Sequence, residues 1–455
     1  MTIAQTIAGF AQAAETAELP RRARETLRLL LLDVAGLCLA ARANDYVTSA
    51  RASIAAQGRA TVIGQAQGAS PYDAALVNGT AAHGEDYDDT FEGGPIHAGA
   101  VVVPALLASA ERHRIAGPEL LYGMAVGLEV TCRASLVAPK RLHQAGFHPT
   151  AVLGAMGAAA GVAAALGADA RTFACAQGIA GSLASGIIEY LAEGTSTKRL
   201  HPGWAAQSGI RAVELARAGF DGPRTVWEGT HGMLHAFARD AAGDWTKLLD
   251  GFGERWVAST IAFKPYACGT MIHPYIDCAR RISLSLGRGL GRGSQDIVAI
   301  ECETAEAIVH RLWEPLAAKR APANGYAAKF SVPYCVAHGL VHGAVGLDAF
   351  DDRPPDPRVA SLAAKVEYRI DPANPYPDEY TGHVRVRFAD GSVREERQPH
   401  LRGGRREPLS RAEIEEKFLA NCASGRWPET RSRAWLAFAR RAFDAPPIDL
   451  TPFRG

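Results

Sequence analysis

Residues 151–168 carry no charged side chain and are dominated by alanine and glycine. Gly154, Gly157 and Gly161 recur at steps of three and four, so on an α-helix they share one face. A face without side chains gains stability only where another backbone approaches it closely. The stretch therefore calls for a fold of tightly packed helices. A phosphate loop does not fit, because no strand precedes these glycines and no Lys-Ser/Thr follows them. The run is of borderline membrane length, but its small side chains give too little lipid-facing bulk, and no membrane span is expected.

The flanking sequence continues in this manner. Helices are expected over 3–18 and 23–42, with Pro20 between them, and Arg28, Asp33 and Gly36 mark the second as a buried helix. Further helices are expected over Pro71–His83, 98–113, 118–138, 151–166 and 169–193, with Gly181–Gly186 a second small-residue seam. The first 265 residues thus read as nearly all helix. The texture changes at the glycine-rich stretch 287–293, read as a solvated linker. Beyond it, strands are expected at 297–303, 366–370 and 383–388. The last alternates Val384, Val386 and Phe388 against Arg385 and Arg387, and Asp390-Gly391 turns it into Val393. Helical stretches at 305–312 and 330–344 lie between the strands, and Ser410 with Glu413 forms a capping box before helices at 411–423 and 429–443. The expected fold is mainly α with a smaller α+β domain: a helical domain of residues 1–268 and 401–455, and an α+β lid of residues 269–400.

Lysine plus arginine numbers 49 against 48 acids, so no bulk basic surface points to nucleic acid. The eight cysteines show no CxxC spacing and sit mostly among apolar residues, the pattern of reduced, buried thiols. With no basic-then-apolar leader read at the N-terminus, a cytoplasmic protein is expected.

The chemistry-bearing residues concentrate in 81–104, where His83, Glu85, Asp86, Asp88, Asp89 and His97 lie between small apolar flanks. Such a density of groups is costly to bury unless they pair with each other or with a ligand. The spacing matches neither an EF-hand nor a zinc site, and no metal is expected; helix capping accounts for some of the carboxylates. His97 and His148 each follow a loop and precede an apolar helix, a placement that lowers a histidine's proton affinity. Lys198 lies in a polar loop, whereas Lys264 sits alone among apolar residues, where it either snorkels out or neutralises an anion in a cleft. His273 and Lys329 occupy similar settings, and Tyr334 is read as supplying a hydroxyl to the same cleft. No nucleophile elbow or dinucleotide fingerprint is present, which leaves proton abstraction beside a carboxylate, with cations polarising the substrate and a neutral base taking the proton.

The segments Ala-Ala-His-Gly-Glu-Asp-Tyr-Asp-Asp-Thr (81–90) with His97, Gly-Phe-His-Pro-Thr (146–150), Thr-Lys-Arg-Leu-His-Pro-Gly-Trp-Ala-Ala (197–206), Phe-Lys-Pro-Tyr (263–266) with His273, and Ala-Lys-Phe-Ser-Val-Pro-Tyr (328–334) resemble the MmgE/PrpD family, which includes 2-methylcitrate dehydratase, cis-aconitate decarboxylase and iminodisuccinate epimerase. The resemblance implies a large helical domain, a smaller α+β lid, a homodimer and a cofactor-free site between the domains. It assigns Asp86, Thr90, His97, His148, Lys198 and Lys264 to that site. One departure stands out: where decarboxylases of the family carry a histidine five residues after the lysine matching Lys264, this chain has Gly269. The expected activity is therefore dehydration or hydration of a small di- or tricarboxylic acid, with epimerisation or decarboxylation as alternatives. Asp86, His97 and His148 are the expected proton-transfer groups. Thr90, Lys198, Lys264, His273 and Tyr334 are expected to bind substrate.

Overall fold

The computed structural model describes residues 1–14, 19–55, 57–94, 96–239, 242–287, 296–352, 354, 356–444 and 446–455. The expected helix at 3–18 is observed over Ile3–Ala14 (α1), its tail lying outside the described residues, as does the linker at 287–293 beyond Gly287. The chain divides into two units. The larger comprises Met1–Gly84, Asp88–Ala262 and Ser410–Gly455, and the smaller Glu85–Tyr87 and Phe263–Leu409.

In the larger unit, α1 is followed by α2 (Arg21–Ala41), α3 (Pro71–His83), α4 (Gly99–His113), α5 (Gly117–Val137), α6 (Pro149–Ala165), α7 (Ala170–Leu183) and α8 (Thr197–Arg217). The seam read from the sequence is the contact between α5 and α6. A Cβ added at Gly161 would lie 2.6 Å from the Gly123 carbonyl oxygen, and one at Gly157 would lie 1.7 Å from Thr131 Oγ1. Every residue of α6 is buried. α5 is long and apolar enough to cross a membrane, yet it is largely buried inside the unit and carries a buried Glu129–Arg133 pair at 2.6 Å. A strand pairing in this unit, absent from the helical expectation, joins β1 (Thr90–Phe91) to β2 (Ile261–Ala262) antiparallel. The helix expected at 169–193 breaks after Leu183 and resumes only for Tyr190–Glu193.

The smaller unit contains α9 (His273–Ser285), β3 (Ile297–Thr304), α10 (Glu306–Leu312), α11 (Val332–His342), β4 (Val366–Ile370), β5 (Gly382–Phe388) and β6 (Val393–Gln398). The strands form one sheet in the order β4-β3-β5-β6, parallel between β3 and β4 and antiparallel elsewhere. Val384 and Val386 are fully buried while Arg387 faces out, the alternation read from the sequence. Gly391 supplies the positive φ, 85°, of the β5–β6 turn.

The larger unit closes with α12 (Arg411–Ser424) and α13 (Glu429–Arg441); α12 begins at the Ser410–Glu413 capping box and packs on α2. The unit boundaries differ from those expected. Residues 263–268 and 401–409 fall in the smaller unit, where the Phe263 amide donates to the Gly403 carbonyl at 3.0 Å. Glu85–Tyr87 falls there too, because Tyr87 and two lysines bond it to that unit's own residues.

Candidate active site

In the larger unit four histidines converge. His83 ends α3, His97 stands two residues before α4, His148 is the N-cap of α6, and His201 lies in α8. Ring centroids are 4.9 Å apart for His83–His97, 5.8 Å for His83–His148 and 5.2 Å for His148–His201. Tyr190 stands edge-on to both His148 and His201.

Hydrogen bonds fix much of the proton placement. His83 Nδ1 lies 2.7 Å from Asp88 Oδ2, with both side chains fully buried. His97 Nδ1 lies 2.7 Å from the Asp89 carbonyl oxygen, which can only accept, so this nitrogen carries a proton and Nε2 is left for other partners. The Asp88 carboxylate is 3.5 Å from the same Nδ1. Asp89 Oδ2 accepts the Gly99 amide at 3.0 Å, the helix-capping role expected for part of the acidic cluster. The ligating atoms of His83, Asp88 and His97 lie within 4.8 Å of one another. A cation among them would meet Nδ1 atoms already turned toward oxygen acceptors, that of His83 toward Asp88 and that of His97 toward the Asp89 carbonyl.

His148 is 5% exposed, and its proton affinity is held well below that of an ordinary histidine. The cause differs from the one read in the sequence. Burial comes first, followed by the positive charges of His83, Lys198, His201 and His97. His201 is pushed down to about 4 by burial, then by His83 and Lys198. Lys198, expected in a polar loop, instead stands in the first turn of α8, three residues before His201 and so on the same face. Thr90 is buried in β1 opposite Ala262.

The remaining expected residues belong to the smaller unit. Lys264 Nζ donates to the Asp86 carbonyl oxygen at 2.8 Å and faces Asp86 Oδ1 at 3.4 Å. Lys329 treats the preceding residue in the same way, reaching the Glu85 carbonyl oxygen at 2.7 Å and Oε2 at 2.8 Å. Two buried lysines thus hold consecutive residues by backbone and side chain together. Asp86 adopts a φ of 55°, a left-handed conformation that aspartate tolerates better than most residues. The anion that Lys264 neutralises here is Asp86 itself.

His273 is fully buried, with Nε2 3.2 Å from the Cys268 carbonyl oxygen and its ring edge-on to Tyr266. Burial alone would raise the Cys268 thiol. Its neighbours Cys335, His273 and Lys264 more than offset this and hold it below the usual thiol range. The Tyr334 hydroxyl donates to the Ala349 carbonyl at 2.6 Å, and the residue lines a cavity with His338, His342 and Asp348. Gly269 bonds the Lys329 carbonyl through its amide at 3.0 Å and places no side chain beside Phe330.

The sequence reading did not single out His201 as a site residue, nor the His83–Asp88 pair. The signal for His201 was its spacing of three from Lys198, visible once residues 197–217 are read as helix. That for His83 was its position as the last residue of α3, at the mouth of the acidic turn.

The chain is 29% identical to the cis-aconitate decarboxylase of Mus musculus over 368 residues, 78% of this chain and 72% of that protein. It is 30% identical to the Homo sapiens cis-aconitate decarboxylase over 369 residues, covering 78% and 73%. The Aspergillus terreus cis-aconitate decarboxylase aligns over 432 residues at 27% identity, covering 89% and 86%. Residues 5–245 match the MmgE/PrpD N-terminal domain and residues 266–441 the MmgE/PrpD C-terminal domain, and on both matches together the chain belongs to the MmgE/PrpD family.

Proposed function

We propose that the chain is a cofactor-independent lyase that dehydrates or hydrates a small di- or tricarboxylic acid. The observation that carries this reading is His148, a buried histidine kept neutral by its surroundings and so available as a base near pH 7. In the forward direction His148 removes the proton on the carbon next to a carboxylate, and the electron pair moves into that carboxylate. Lys198, whose charge already reaches His148 and His201, stabilises the developing negative charge. His97 protonates the departing hydroxyl. To do so it must carry protons on both nitrogens, a form that the Asp88 carboxylate at 3.5 Å can pair with. The family resemblance adds Thr90, Asp86 and Lys264 to the same reaction.

A second reading, decarboxylation, is favoured by the relatives, each of which is named a cis-aconitate decarboxylase. Against it stands Gly269, which offers no proton donor where the resemblance expects one. Incubation with a panel of di- and tricarboxylic acids in D₂O, followed by proton NMR, separates the outcomes. Dehydration gives an alkene with an ultraviolet absorbance, and decarboxylation releases CO₂ with deuterium in the product. Deuterium at the α-carbon of an amino-dicarboxylate without an alkene indicates an epimerase. Absence of any change with every acid would sink the proposal.

A homodimer and a cytoplasmic location form part of the same proposal. Ile187, Leu191, Leu200 and Trp204 are each exposed on the larger unit, large apolar side chains that a second copy would cover. All eight cysteines are free and buried, which suits a reducing compartment.

A further inference from the structure

His148 and His201 face each other through like atoms, with Nδ1 3.0 Å from Nδ1. A hydrogen bond between two identical nitrogens needs one to carry the proton and the other a lone pair. The choice at His148 Nδ1 decides what its other nitrogen can do in the neutral ring. With Nδ1 protonated, Nε2 holds a lone pair and the ring is a base. With Nδ1 accepting, Nε2 holds the proton and the ring is an acid.

We infer that His201 is the positioning residue for His148, accepting the Nδ1 proton through its own Nδ1 and so presenting His148 Nε2 as the base. The inference rests on the proposed lyase reading, which sets the direction of the shared proton by requiring His148 as the base; the Nδ1–Nδ1 contact itself stands without it.

The surrounding structure holds this pair in place. The His148 amide donates to the Gly186 carbonyl at 2.8 Å. Gly186 has a φ of 118°, and a Cβ there would lie 2.5 Å from Ala151 Cβ and 3.4 Å from His201 Cε1. The residue that anchors the His148 backbone is therefore also one whose lack of a side chain avoids a clash with Ala151, beside which His201 packs. His83, His97, Lys198 and Tyr190 are the other titratable groups around the pair. The cations among them disfavour a second positive charge on either ring, so the resting pair is two neutral imidazoles sharing one Nδ1 proton. When His148 Nε2 takes the substrate proton, its Nδ1–H bond to His201 persists and strengthens, because the donor is then charged.

The test uses the full-length protein labelled with ¹⁵N-histidine, in wild-type, His201→Leu and His201→Gln forms, with His148→Gln to assign the resonance. The expected wild-type spectrum shows His148 protonated at Nδ1. His201→Leu should lose that tautomer preference, and His201→Gln, whose amide oxygen can accept the same proton, should restore it. On a substrate found by the acid panel, His201→Leu should lower kcat about 100-fold or more with little change in KM, shift the acidic limb of the pH–rate profile, and be partly rescued by glutamine. A wild-type His148 protonated at Nε2 overturns the inference, as does a folded His201→Leu with an unchanged tautomer or an unchanged pH profile. The nitrogen spectra need no turnover. An inactive wild type with the expected tautomer would therefore count against the lyase reading alone.

Discussion

Lys264 Nζ holds Asp86 twice, by its carbonyl oxygen at 2.8 Å and by its carboxylate at 3.4 Å, and both residues are almost completely buried. Removing the lysine withdraws a buried counter-charge, whereas removing both charges does not. Lys264→Met should destabilise the protein by about 3 kcal/mol, and the double variant Lys264→Met/Asp86→Asn should recover much of that loss. Neither should turn over a polycarboxylate. Urea unfolding of the two variants checks the first claim, and the opposite order of stabilities would show that Lys264 is not there to balance Asp86.

The α5–α6 seam gives a sharper steric forecast. A Cβ at Gly157 would sit 1.7 Å from Thr131 Oγ1, which is itself bonded to the Gly127 carbonyl at 2.7 Å. Gly157→Ala should cost about 2 kcal/mol or more, with partial recovery in Gly157→Ala/Thr131→Ala. Gly9 is the control: it lies within α1 and nothing stands within 4 Å of an added Cβ. Gly9→Ala should stabilise by about 0.5 kcal/mol. Thermal unfolding of the three variants would disprove the seam if Gly157→Ala matched Gly9→Ala.

Periodicity and punctuation were enough to read most of the helices and all the strands of the smaller unit. α3 begins at Pro71 and ends at His83 as expected, and β4 spans the expected Val366–Ile370. Such features depend on neighbours in sequence. The two-residue pairing of Thr90–Phe91 with Ile261–Ala262 was not legible, because strands so short carry no period and their partners lie far apart in the chain. The site divides along the same line. His97, His148 and Lys264 stood out because each breaks an apolar or small-residue context. The Asp86–Lys264 and Glu85–Lys329 pairings did not, since spacing says nothing about which anion a buried lysine meets. For His148 the expected neutrality is present but rests chiefly on burial.

That burial has a consequence for stability. His201 titrates at about 4 in the folded protein and His148 well below its ordinary value, whereas both return to about 6.5 when unfolded. Between these limits the unfolded chain binds protons that the folded one does not, so stability rises with pH. The contribution is fully present above pH 6.5 and is lost as the pH falls toward 4, by about 3 kcal/mol for His201 alone. Glu111, Glu129 and Asp277 act in the opposite sense. Burial raises each carboxyl, so they favour the folded state as the pH falls. The wild-type profile is the sum, and the difference between wild type and His201→Leu isolates the histidine. In urea unfolding between pH 7.5 and 4.5, the variant should lose less stability on acidification than the wild type. Parallel profiles would mean that His201 takes up protons alike in the folded and unfolded chain, which its burial and the neighbouring His83 and Lys198 charges oppose.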